Sequence, residues 1–109
     1  MKSPKEIDLV KACLHYLQLC GFYCWRANSG AVKVGNRFIR FASINGISDI
    51  LGCLPDGKLL AVECKMPKGR LRNEQKTFLA AVHARGGVAL IVRDVTELHK
   101  HLARFYVVP

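Results

Sequence analysis

The chain has 109 residues, half of them hydrophobic, and carries a formal charge of +9 at neutral pH from 17 lysines and arginines against 8 acidic residues. Residues 1–109 therefore suit one domain with one modest core, and the composition excludes an intrinsically disordered chain. No apolar run is long enough to span a bilayer and the first residues lack a signal-peptide layout, so a soluble cytoplasmic protein with no membrane partner is expected.

A basic balance of this size points to a polyanionic partner, nucleic acid first, although lysines and arginines also serve solubility alone. The five cysteines are Cys13, Cys20, Cys24, Cys53 and Cys64. An odd number within hydrophobic stretches suggests reduced, buried thiols. Zinc is disfavoured, because there is no C-x-x-C pair and Cys13 and His15 point different ways on a helix.

In chain order, Ser3-Pro4-Lys5-Glu6 opens a helix, with Ser3 as cap, Pro4 at the first helical position and Glu6 at the capping-box place. Ile7, Val10, Leu14 and Leu17 recur at helical spacing until Gly21. Phe22 to Arg26 reads as a strand, with Trp25 placed in the core, and Asn28-Ser29-Gly30 as a loop. Val32 to Phe41 holds Gly35-Asn36 between two β-prone stretches, a hairpin signal. Ile50 to Leu54 and Leu59 to Lys65 flank the turn Pro55-Asp56-Gly57 and should pair antiparallel. A helix from about Asn73 to Arg85 ends at Gly86-Gly87, Val88 to Val92 forms a strand, and Asp94 with Glu97 caps a last helix to about Arg104. The architecture implied is α/β, a mixed β-sheet flanked by α-helices.

The informative region runs from Gly46 to Gln75. Glu63 and Lys65, two apart on a strand, share a face, while Val62 and Cys64 face the core. The turn at Pro55–Gly57 folds the preceding strand back and brings Asp49 within reach of Glu63. Two carboxylates on adjacent strands make a hard-oxygen site for Mg²⁺ or Mn²⁺, to which the backbone carbonyl of Cys64 adds a ligand. Lys65 is placed to orient or deprotonate an attacking water, or to stabilise charge developing on a phosphate. The spacing alone equally suits a surface ion pair, and Asp49 alone a turn residue.

Taken together, Gly46-Ile47-Ser48-Asp49, Glu63-Cys64-Lys65, Gly69-Arg70-Leu71 and Gln75 resemble the PD-(D/E)XK nuclease superfamily and, more narrowly, its VRR-NUC (virus-type replication-repair nuclease) family. Glu6, Asp49, Glu63, Lys65 and Gln75 stand in order at the places of that family's catalytic positions, and Arg26-Ala27-Asn28-Ser29-Gly30 is similar to its stretch after the first strand. Ser48 departs from the proline that commonly precedes the Asp. The resemblance implies a restriction-endonuclease-like fold and a Mg²⁺- or Mn²⁺-dependent DNA nuclease. It further implies the stand-alone, phage-like form, which acts as a homodimer on branched DNA such as Holliday junctions or flaps, in a host-cell cytoplasm if phage-encoded. No small-molecule cofactor is implied.

Glu6 has a structural use as a helix cap and a possible one at the metal, and Gln75 is placed to meet the attacking water or a phosphate. Lys68, Arg70, Arg72 and Lys76 follow the E-x-K strand and suit DNA phosphates, as do Lys33, Arg37 and Arg40 on the hairpin and Asn28 and Ser29 in the preceding loop. His83, His99 and His101 show no partner spacing. Val107 and Val108 form an apolar tail suited to pairing with another chain. A non-catalytic basic DNA-binding module and an exonuclease acting on linear ends are the competing functions.

Overall fold

Ser3 caps the first helix, α1 (Pro4–Leu19), where its Oγ accepts the Glu6 N–H at 3.3 Å and Pro4 begins the helical turn. The computed structural model describes residues 2–27, 31–40 and 44–106, and for residues 31, 32, 38 and 40 the backbone alone. The remaining elements are β1 (Tyr23–Arg26), β2 (Ala31–Val34), β3 (Arg37–Arg40), β4 (Ile50–Cys53), β5 (Leu59–Cys64), α2 (Asn73–Ala84), β6 (Val88–Val92) and α3 (Val95–Ala103). Asp94 caps α3 as its sequence foretells, accepting the Glu97 N–H at 2.7 Å.

One mixed sheet has the order β1-β4-β5-β6, while β2 and β3 pair as a separate two-stranded hairpin. The two-residue turn of that hairpin uses Gly35 at φ +62, the left-handed backbone a tight hairpin needs. β4 pairs antiparallel with β1 and β5, and β5 runs parallel to β6. The parallel pair requires a crossover, which α2 supplies.

Val10, Cys13 and Leu17 recur on one face of α1 and, with Leu98 and Leu102 of α3, cover Cys24, Ile50, Leu60, Val62, Cys64, Leu90 and Val92 on one face of the sheet. α2 covers the opposite face with Leu79 and Val82 against Ala61. β5 is thus buried on both sides from Leu60 to Cys64. The fully buried Leu60 and Val62 each stabilise the fold by about 1.5–3 kcal/mol.

Three expectations are corrected. Trp25 is 43% exposed rather than in the core and meets Tyr23 edge-on at 5.8 Å. β1 is a sheet edge, and α2 packs over β5 and β6, so this face of β1 lies outside its cover. Cys53 is exposed and Cys20 half-buried; only Cys13, Cys24 and Cys64 are buried thiols. His99 has a partner, the Tyr16 hydroxyl 2.6 Å from its Nδ1. Asn28, Ser29, Phe41, Val107 and Val108 lie outside the described residues.

Candidate active site

The β4–β5 register sets Ile50 opposite Val62, so Asp49 arrives beside Glu63. Asp49 is fixed by its backbone and its side chain alike. Its carbonyl accepts the Ala27 N–H at 2.8 Å, its N–H donates to Glu63 Oε1 at 3.2 Å, and its Oδ2 accepts the Cys64 N–H at 2.8 Å. The approach to Asp49 is shaped by two neighbours. Ser48 is buried and its hydroxyl donates to the Ile50 carbonyl at 3.0 Å, a local bond that holds the backbone without a proline. Gly46 has φ +80, and a Cβ there would run into the backbone of Glu74 and come 2.8 Å from the Gln75 nitrogen. Only glycine lets this loop press against the first turn of α2.

Glu63 is 1% exposed. Burial pushes its pKa up, the hydrogen bond and charge of the adjacent Asp49 carboxyl push it further, and the lysines oppose this, leaving it at about 8. Two carboxylates this close ionise together readily only when a cation joins them.

A cationic group does sit between them. The Lys2 ammonium donates to the Cys64 carbonyl at 2.7 Å and lies 3.2 Å from Asp49 Oδ2, 3.3 Å from Glu6 Oε2 and 3.8 Å from Glu63 Oε2. Burial works against its charge, but Asp49 and Glu63 outweigh that and raise its pKa above the ordinary value. Glu6 therefore reaches the cluster through Lys2, and its N–H keeps the capping bond to Ser3 as well.

The oxygens of Asp49, Glu63 and Cys64 converge on one positive centre, and all are hard donors of the kind Mg²⁺ and Mn²⁺ take. Among the described residues, no group of three or more His, Cys, Asp or Glu side chains is spaced to hold an ion. The donor set is therefore two carboxylates and a main-chain carbonyl, with water or phosphate left to complete a shell. The Cys64 thiol faces the core, where its hydrogen bond to Cys13 and burial keep it protonated.

Among solved structures, one titled "VRR_NUC domain" matches this chain with a TM-score of 0.68 and 19% identity, over 95% of this chain and 100% of that one. The chain has the VRR-NUC fold. No family model matches it, and neither does any curated protein. This is also the restriction-endonuclease-like arrangement that the sequence implies.

Within this VRR-NUC fold, Lys65 follows β5 directly. Its N–H donates to the Val92 carbonyl at 3.0 Å, and its largely buried side chain brings Nζ to 3.8 Å from Glu63 Oε2. The succeeding turn is pinned by Arg93, whose Nη1 donates to the carbonyls of Met66 at 2.6 Å and Gly69 at 3.1 Å. Arg93 was not singled out by the sequence; only its place at the end of β6, beside the end of β5, gives it this reach.

Gln75 is buried, with its Nε2 on Glu63 Oε2 at 2.6 Å and its Oε1 accepting the Arg72 N–H at 2.9 Å. Both ends of the amide are committed, so it faces Glu63 rather than a free water or phosphate. Lys68, Arg70, Arg72 and Lys76 are exposed along the segment that leads from β5 into α2. Lys33 and Arg37 are exposed on the separate hairpin, away from this cluster in topology, and the Arg40 side chain lies outside the description. A groove of about 600 Å³ lined by Ile44, Leu59, Phe78, Val82 and their neighbours shares no residue with the carboxylate cluster. Its floor is mainly apolar, with Asp56, Lys58 and Arg85 also in its lining, and it lacks the paired buried carboxyls of the cluster.

Proposed function

We propose that this chain is a Mg²⁺- or Mn²⁺-dependent deoxyribonuclease, an endonuclease acting on branched DNA such as Holliday junctions or flaps. The observation that carries the reading is the convergence of Asp49 Oδ2, Glu63 Oε2 and the Cys64 carbonyl on one positive centre, with Lys65 beside Glu63. The likeness to a structure titled as a VRR_NUC domain supports a nuclease, and the charge of +9 supports a DNA substrate.

Asp49, Glu63 and the Cys64 carbonyl would hold the divalent ion, which when bound supplies Lewis acidity at the scissile phosphate. Gln75 keeps the Glu63 carboxylate aimed, and the Asp49 bond to the Cys64 N–H keeps the second carboxylate beside it. The Lys65 ammonium hydrogen-bonds the attacking water and offsets negative charge as it builds on the phosphate oxygens. Arg93 keeps Lys65 in place by fixing the turn behind it. Lys68, Arg70, Arg72 and Lys76 hold the DNA backbone, an attachment that weakens as salt rises. The reading extends to a homodimer working in the cytoplasm, that of a host cell if the gene is phage-borne.

The test is cleavage of a panel of four-way junctions, flaps, end-blocked duplexes and linear duplexes with each divalent ion, comparing wild type with Lys65→Ala. Metal-dependent cutting of branched substrates that is lost in the variant supports the reading. Salt-sensitive binding without products under any divalent ion would instead leave a DNA-binding module, which the basic charge alone favours. Strict dependence on a free end would make the enzyme an exonuclease.

A further inference from the structure

We infer that Lys2 is a built-in occupant of the cation site, and that a divalent ion binds only by displacing its ammonium. The inference rests on the reading of Asp49, Glu63 and the Cys64 carbonyl as metal ligands, and adds what the chain itself does at that place. Lys2 Nζ contacts those same oxygens: the Cys64 carbonyl at 2.7 Å, Asp49 Oδ2 at 3.2 Å and Glu63 Oε2 at 3.8 Å, with Glu6 Oε2 at 3.3 Å closing the cage. An ammonium bonds oxygen at about 2.7–2.9 Å, whereas Mg²⁺ requires about 2.0–2.1 Å. The oxygens must draw inward around a divalent ion, and an ammonium left in their midst would lie within a few ångströms of a double positive charge. The two occupants exclude each other.

Departure of Lys2 is structurally simple. It precedes the cap residue Ser3, so its side chain can swing outward while Ser3 Oγ still holds the Glu6 N–H and α1 stays intact. With the ion absent, Lys2 places its single positive charge among the carboxyl oxygens. When the ion enters, it gives up their contacts. Lys2 thereby sets the metal concentration at which the site loads, and Glu6 tunes that threshold by holding the same ammonium at 3.3 Å.

The test is titration of the full chain with Mn²⁺ alone, without DNA, by calorimetry. Wild type, Lys2→Met, Asp49→Asn and Lys5→Met are compared, the last removing one exposed positive charge from the start of α1 outside the cage. Lys2→Met should bind Mn²⁺ about tenfold more tightly or better, because the competing charge pair is gone. Lys5→Met should change little and Asp49→Asn should weaken binding. Equal affinity in wild type and Lys2→Met overturns the inference while leaving the metal site standing. Failure of wild type and both lysine variants to bind Mn²⁺ overturns the metal reading and the inference with it. A second measurement uses wild type only, following the Lys2 side-chain ¹⁵N resonance during a Mg²⁺ titration. It should move in step with saturation, and a resonance unchanged at saturation contradicts displacement.

Discussion

Gln75→Ala removes one side chain that serves two partners at once, so its consequence is calculable from the structure. The amide nitrogen donates to Glu63 Oε2 at 2.6 Å, and the amide oxygen accepts the Arg72 N–H at the start of α2 at 2.9 Å. The first bond reaches an ionisable group only 1% exposed, for which loss costs about 1.5–3 kcal/mol. The second is a helix-start interaction worth about 0.5–1 kcal/mol. Together they give a loss of about 2–4 kcal/mol against a total stability of about 5–15 kcal/mol. For a domain this size that is a fall of roughly 10–20 °C in Tm. Urea unfolding in EDTA measures it, combined with Glu63→Gln in a double-mutant cycle. If Gln75 acts through Glu63, the two losses fall short of additivity by about 1 kcal/mol or more. Additivity within about 0.5 kcal/mol would refute the coupling.

Three further outcomes follow from the same contacts. Because the folded Glu63 keeps its proton to about 8 while an ordinary glutamate releases it near 4.5, the folded state binds more protons across that interval. Stability in EDTA should be greatest below the lower value and fall as pH rises through about 8, and Glu63→Gln should flatten the profile; a wild-type profile rising over that range contradicts the assignment. Lys2, raised from 10.5, contributes its stability throughout that window and does not alter the sign. Gly46→Ala should destabilise by about 2 kcal/mol or more, through both its φ of +80 and the collision with Glu74, whereas Gly57→Ala, at φ +89 in open space, should lose only about 1 kcal/mol; equal losses in urea unfolding would remove the collision from the account. Arg93→Met should slow cleavage at least about tenfold by freeing the turn behind Lys65, with partial rescue in Arg93→Lys, and full activity in Arg93→Met would show that the turn holds without it.

The parts of this molecule written in local chemistry are legible without coordinates. Ser3-Pro4 starts α1, Asp94 caps α3, and Pro55-Asp56-Gly57 reverses the chain so that Asp49 meets Glu63, because each depends on residues a few places apart. What escapes is whatever depends on which elements end as neighbours. Lys2 reaches across 62 positions to the Cys64 carbonyl, and no periodicity encodes that contact. Arg93 gains its function from β6 lying parallel beside β5, and Trp25 is exposed because β1 is an edge rather than an interior strand. Gln75 is visible at a helix start, yet its partner Glu63 becomes evident only when the Gly46 loop packs onto α2.

The central question is whether a divalent ion seats between the two carboxyls, and anomalous diffraction from Mn²⁺-soaked crystals addresses it most directly. The account requires one strong peak bonded to the side chains of residues 49 and 63 and the main-chain oxygen of residue 64, with the Lys2 amine withdrawn. Manganese bound elsewhere, or no peak with that amine still in place at saturating metal, would contradict it.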